Sequence, residues 1–240
     1  MNQTINLSIS KKSAKAGDSI PHESAHLHVT GQATYIDDLP ELENTMHLAV
    51  GFSSCAKGKI SKLDLDAVRQ ADGVHAVFSA KDIDVENNWG PIVKDDPIFA
   101  EDQVEFYGQA LFVVVADSYQ QARQAVRLAK IEYVPETPIL TIQDAIEKES
   151  WVLPPVKFSH GEVEQAFQNA SHHLSGAIEL GGQEHFYLEG QISYAIPQEN
   201  QSLKVYCSTQ HPTEMQLLIC HALGMHMHQV SVESRRMGGG

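Results

Sequence analysis

The sequence predicts an α+β fold. Three observations carry that expectation: two strand–helix–strand patterns within the first 140 residues, a run of prolines ending at Pro155, and short strands around one well-capped helix beyond it. An apolar content of 42% over 240 residues can bury a sizeable core, and the length suits two domains of ordinary size.

Residues 1–20 show no hydrophobic periodicity and read as a flexible arm, or as an extended strap against another surface. Order begins near Pro21. Residues 46–52 (MHLAVGF) form an apolar run expected as a strand, 64–71 (DLDAVRQA) a short helix and 74–78 a second strand, together one β-α-β unit. Residues 83–102 are rich in Asp, Asn and Pro and hold Trp89, which predicts a long surface loop of the kind that is often functional. A second unit follows: a continuous apolar strand over 110–116 (ALFVVVA), a helix capped by Ser118 with apolar residues at Tyr119, Ala122, Val126 and Ala129, and a strand over 131–134.

Pro135 and Pro138 punctuate the chain, 141–148 reads as a short capped helix, and Pro154 with Pro155 breaks the pattern. The domain boundary is placed here, with a first domain over 21–140 and a second over 150–240. The second is expected to hold a helix over 162–169, strands around 174–180, 186–196 and 203–208, a helix over 212–223 and a strand over 229–233. The 212–223 helix is the best specified: Pro212 suits its first position, Met215, Leu218, Ile219 and Ala222 make one apolar face, and Gly224 can end it in a left-handed conformation.

Composition excludes several classes. Seventeen basic against thirty-one acidic residues give a net charge of −14, which repels nucleic acid and anionic membrane surfaces. No apolar stretch approaches the roughly 20 residues that span a bilayer, and the polar N-terminus lacks a signal-peptide block, so a cytoplasmic location is expected. Cys55, Cys207 and Cys220 are an odd number without CxxC spacing, which suggests reduced thiols and neither a disulfide framework nor a zinc or iron–sulfur site. Among thirteen histidines, the pairs His26/His28, His172/His173 and His226/His228 have no carboxylate or cysteine cluster to complete a ligand set, although an H-x-H pair on a strand would share one face. GxSxG, GxGxxG and GxxxxGK[ST] are all absent.

Three segments can carry chemistry: GGQEHFYLE from Gly181 to Glu189, STQHP from Ser208 to Pro212, and RRMGGG from Arg235 to Gly240. A glycine triplet lets backbone approach a bound group and present N–H donors to an oxyanion, phosphate or metal-oxo group; the plainer alternative is a flexible turn. A glutamine at a strand-to-helix junction can hold an oxygen without adding charge, or simply cap the helix. GGQEHFYLE mixes close-approach glycines, ionisable groups and aromatics, and could line a cavity or form a bulged strand with one buried face.

At these segments the chain resembles the molybdopterin-binding (large) subunit of the xanthine dehydrogenases, within the molybdenum hydroxylase family. The likeness extends to Pro21–Ala25 (PHESA), His28–Ala33 (HVTGQA), Tyr35–Pro40 (YIDDLP) and Phe106–Gln109 (FYGQ), so it covers nearly the whole chain. It implies an N-terminal α/β hammerhead domain followed by the truncated start of a molybdopterin-binding α+β domain. It also implies hydroxylation of hypoxanthine or xanthine to urate at a molybdenum–pterin cofactor, with electrons leaving through 2Fe-2S clusters and FAD to NAD. The implied partner is a smaller subunit carrying FAD and the 2Fe-2S clusters, paired into a heterotetramer.

Carried over by resemblance, Gln210 stands where the family has a glutamine that hydrogen-bonds the molybdenum oxo group. Gly239 and Gly240 match the start of a glycine-rich loop packed against the metal and its pterin. Gln183, Glu184 and His185 belong to a nearby motif without an assignable direct role. The family's purine-binding and general-base residues would lie beyond Gly240, so these 240 residues alone are expected to be catalytically inactive, with unpaired strands that favour dimerisation or aggregation. An aldehyde or N-heterocycle molybdenum oxidoreductase is the alternative within the same class. A non-catalytic interaction module is the alternative outside it; that reading leaves the three segments unexplained.

Overall fold

A computed structural model describes residues 15–90 and 92–238. They fall into two compact units, one running to Pro40 and one from Glu41 onward. In the first, helix α1 (Ala25–Thr30) stops at Gly31, whose φ of 71° is open to glycine at no steric cost. A 3₁₀ turn over Ile36–Asp38 follows, closed by the Tyr35 N–H donating to Asp38 Oδ2 at 2.8 Å. His26 and His28 therefore lie on a helix, where residues two apart point in nearly opposite directions, and not on a strand with a shared face.

The second unit runs β1 (His47–Phe52), β2 (Gly58–Asp64), α2 (Asp66–Arg69), β3 (Val74–Ser79), β4 (Gln103–Val104), β5 (Ala110–Ala116), α3 (Tyr119–Val126), β6 (Lys130–Pro135), α4 (Ile142–Glu147), α5 (Val163–Asn169), β7 (Ser193–Gln198), β8 (Ser202–Cys207), α6 (Pro212–Leu223) and β9 (Val230–Glu233). The chain is α+β, as the sequence predicts. Strand β5 is central to one sheet, with β1 and β3 antiparallel on its two sides. A second sheet has the order β4-β2-β6.

This corrects the two expected β-α-β units. β1 and β3 do not pair with each other, and β5 and β6 belong to different sheets. The missing element is β2, whose sequence GKISKLD alternates too weakly to read as a strand. It forms because β6 supplies a backbone ladder and apolar partners, Tyr133 opposite Ile60 and Ile131 opposite Leu63.

The core lies between the β1-β5-β3 sheet and α3. Ser118 Oγ accepts from the Gln121 N–H at 3.3 Å and starts the helix. Ala122 and Ala125 are buried on its inner face, and their size lets the helix sit close over the sheet. Leu111 and Phe112 are completely buried, each stabilising the fold by roughly 1.5–3 kcal/mol. The Phe112 ring fills the space opposite Gly51, where a Cβ would stand 2.7 Å from a ring carbon. On the other face of the sheet Leu48, Phe52 and Phe78 remain exposed.

Beyond β6 the packing changes. Every residue from 151 to 188 is exposed, and α5 buries nothing. The strands expected around 174–180 and from 186 are irregular backbone, with β7 beginning only at Ser193. A strand needs a neighbour for its N–H and C=O groups, and among the described residues none pairs with this run.

Order resumes in a third sheet, β7-β8-β9. β7 and β8 form an antiparallel hairpin, while β8 and β9 are parallel and joined through α6. As expected, Pro212 opens α6 and Gly224, at φ 63°, ends it. Gln216 on α6 donates to the carbonyls of Met227 (2.9 Å) and Val230 (2.6 Å), fixing the helix to the entry of β9. Among the described residues no helix is long and apolar enough to cross a membrane.

Candidate functional site

The parallel pairing sets Leu203 beside Val230 and Val205 beside Val232, so the carboxyl ends of β8 and β9 lie next to each other. Ligands of parallel β-α-β arrangements bind at such ends. The register there is held by charge: Lys204 Nζ donates to Glu233 Oε2 at 2.7 Å, and Arg235 Nε donates to Glu233 Oε1 at 2.8 Å. The Lys204 bond, helped by that of Arg235, holds the Glu233 carboxyl below the usual carboxylate range, and the same bond to Glu233 pushes Lys204 up.

Past this clamp three segments converge on Ser208, which is almost wholly buried. Its Oγ donates to the Gly190 carbonyl at 3.0 Å and accepts from the Ile192 N–H at 3.1 Å. Its own N–H donates to the Ile192 carbonyl at 3.2 Å, and its carbonyl accepts from the Gly238 N–H at 2.9 Å. Ser234 Oγ donates to the Thr209 carbonyl at 2.9 Å, tying the same two chain ends a second time. The tail of GGQEHFYLEG, the STQ segment and the RRMG segment thus meet at one strand end.

Gln210 sits at the strand-to-helix junction expected for it, exposed, between the end of β8 and Pro212. Gln183, Glu184 and His185 are exposed in irregular backbone. Only Glu189 in the whole stretch from 151 to 190 is buried. Gly239 and Gly240 lie outside the described residues. Gly238 is described, and it has no room for a side chain: a Cβ would stand 2.6 Å from Ser208 Oγ and 2.8 Å from the Gly190 carbonyl carbon. Sequence reasoning had no means of singling out Ser208, Gly190 and Gly238, because their roles appear only once residues 16 to 30 positions apart in the chain are brought together.

The exposed polar groups at this end include the neutral amide of Gln210. Such a donor suits an oxygen-bearing group held by hydrogen bonds. It does not suit a cation ligated by the chain, and among the described residues no group of three His, Cys, Asp or Glu side chains is placed to hold one.

Two family models match. Residues 30–137 match the a/b hammerhead domain of aldehyde oxidase and xanthine dehydrogenase, and residues 145–240 match the molybdopterin cofactor-binding domain. The chain belongs to the molybdenum hydroxylase family. It is 41% identical over 222 residues to a xanthine dehydrogenase from Calliphora vicina, a match covering 91% of this chain and 16% of that protein. It is 38% identical to aldehyde oxidase 2 from Cavia porcellus, covering 93% and 17% respectively. The chain therefore spans about a sixth of the length of these relatives. Its fold matches the crystal structure of quinoline 2-oxidoreductase from Pseudomonas putida 86 with a TM-score of 0.77 at 24% identity, over 93% of this chain and 30% of that one.

Within the family, the neutral Gln210 amide fits a molybdenum–pterin group. An amide donates to an oxygen without altering charge at the metal.

Proposed function

We propose that this chain forms one wall of the molybdenum–pterin site of a xanthine dehydrogenase, in which xanthine, water and NAD⁺ give urate, NADH and a proton. The observation that carries the reading is the meeting of the Gly190, Ser208–Gln210 and Gly238 segments at the carboxyl ends of β8 and β9. The identity to named xanthine dehydrogenases supports it.

The bound group supplies the oxidative hydroxylation. The chain's own residues place it: the Gln210 amide donates a hydrogen bond to an oxygen of the group, and Gly239 and Gly240 are the other residues that bind it. The hammerhead domain spans 21–140 and the start of the cofactor domain 150–240. Electrons leave through 2Fe-2S clusters and FAD in a smaller partner subunit, within a cytoplasmic heterotetramer that serves purine catabolism. The 240 residues alone are catalytically inactive, because the groups that bind purine and move its proton come from other parts of the protein.

The test is molybdenum content and urate formation from xanthine with NAD, using the whole protein co-expressed with its neighbouring subunits. Bound molybdenum, urate production and a loss of most of the rate in Gln210→Ala are expected. A protein without molybdenum that turns over no purine would overturn the proposal. The similarity to aldehyde oxidase 2 favours a second reading, an aldehyde or N-heterocycle oxidoreductase, which turnover of aldehydes or quinolines in preference to xanthine would establish.

A further inference from the structure

We propose that Ser208 is a positioning residue for this site: its hydroxyl fastens the Gly190–Ile192 segment to the end of β8 while its carbonyl holds Gly238. Gln210 is then presented to the bound group from a fixed strand end. The inference rests on the molybdenum–pterin reading above.

A hydroxyl offers one donor and two acceptor lone pairs, and a residue's backbone adds one donor and one acceptor. Ser208 uses all of these kinds of group, and every partner lies on another segment: Gly190 and Ile192 on one, Gly238 on the other. The β7–β8 ladder does not need the hydroxyl, because its last pair, Ser193 opposite Cys207, is already closed one residue earlier. What the hydroxyl adds is control of the chain that immediately follows, Thr209 and Gln210. The crowding at Gly238 is the second half of the lock. With a Cβ excluded by Ser208 Oγ and the Gly190 carbonyl, the turn can seat only as glycine, and it can seat only while the Ser208–Gly190 bond keeps its geometry.

A residue that sets the aim of a group contacting the cofactor changes turnover more than substrate binding, typically by 10- to 100-fold. The experiment uses the whole, cofactor-loaded protein with its neighbouring subunits, as wild type, Ser208→Ala, Ser208→Thr and Gly238→Ala. It reads molybdenum per protein, the EPR spectrum of the molybdenum, and kcat per bound molybdenum with KM for xanthine.

Ser208→Ala is expected to lower kcat per molybdenum about tenfold and alter the EPR spectrum, with KM changed by no more than about twofold. Ser208→Thr, which keeps the hydroxyl, restores both, and Gly238→Ala reproduces the Ser208→Ala signature. If Ser208→Ala does not fold, Gly238→Ala decides alone, because Gly238 lies beyond the last strand. Loaded wild type alongside Ser208→Ala and Gly238→Ala with wild-type spectra and rates would overturn this inference and leave the reading intact, as would failure of threonine to rescue. A wild-type protein without molybdenum overturns the reading and this inference with it.

Discussion

Strand β5 and the run from residue 174 to 188 are both rich in apolar side chains, yet β5 contributes the most deeply buried residues while Leu174, Ile178, Leu180, Phe186 and Leu188 are all more than 80% exposed. The difference lies in what surrounds them. β5 has a strand on each edge and α3 following within two residues, so its hydrogen bonds and its side chains find partners locally. The later run is interrupted by Gly176, Gly181 and Gly182, and no described strand pairs with it. Apolar content sets what a segment can bury, and a neighbouring surface decides whether it does.

The sharpest way to break that contrast is a pair of truncations in the 240-residue chain. Phe112→Ala should cost about 3–5 kcal/mol in urea unfolding, because it empties a fully buried site, whereas Phe186→Ala should change stability by less than about 0.5 kcal/mol. Equal costs would mean that the 174–188 run is packed after all.

A smaller effect separates the first half, held by its core, from the third sheet, where an ionic clamp joins β8 to β9. Glu233→Gln should cost about 1 kcal/mol or less, since the pair is partly exposed. Because the Glu233 carboxyl is held below its ordinary value of 4.5, the stabilisation is present above that pH and lost as pH falls through the folded value. The wild-type advantage should therefore persist at pH 7 and diminish to nothing in acid unfolding measurements as pH falls from 4.5 through the lower folded value. An advantage that instead grew on acidification would assign the clamp the wrong sign.

The smallest effect concerns the thiols. Cys220 is buried on α6, and burial pushes its thiol up, so it should react with an aromatic disulfide reagent far more slowly than the half-buried Cys55 until denaturant is added. Rapid native-state labelling of Cys220 would show α6 lifting from β9.

The same contrast explains what was legible in the sequence. ALFVVVA, the Ser118 cap and the Pro212–Gly224 helix are local signals, readable because the residues that fix each element lie within it. GKISKLD was not readable as β2, since its partners β4 and β6 supply what its own pattern lacks. The run over 174–180 misled in the opposite sense, having strand-like composition without a partner. At the site, Gln210 could be placed at its junction by resemblance and by its proline neighbour. Ser208 could not, because a hydroxyl's function depends on Gly190, Ile192 and Gly238, which only the fold assembles. The FYGQ motif is a related case. Gly108, at φ 88°, donates to the Ser53 carbonyl at 2.9 Å, and the Gln109 carbonyl accepts from the Ser53 N–H at 2.8 Å, so this stretch continues the β1–β5 pairing.

The central claim is that the ends of β8 and β9 present Gln210 to a molybdenum–pterin group. The most direct measurement is a structure of the whole cofactor-loaded protein, read for the distance from the Gln210 side-chain nitrogen to the nearest oxygen of the bound group. The account predicts a hydrogen bond of about 2.7–3.2 Å, with Gly238 still bonded to Ser208. A cofactor bound elsewhere, or a Gln210 amide turned away beyond hydrogen-bonding reach, would contradict it.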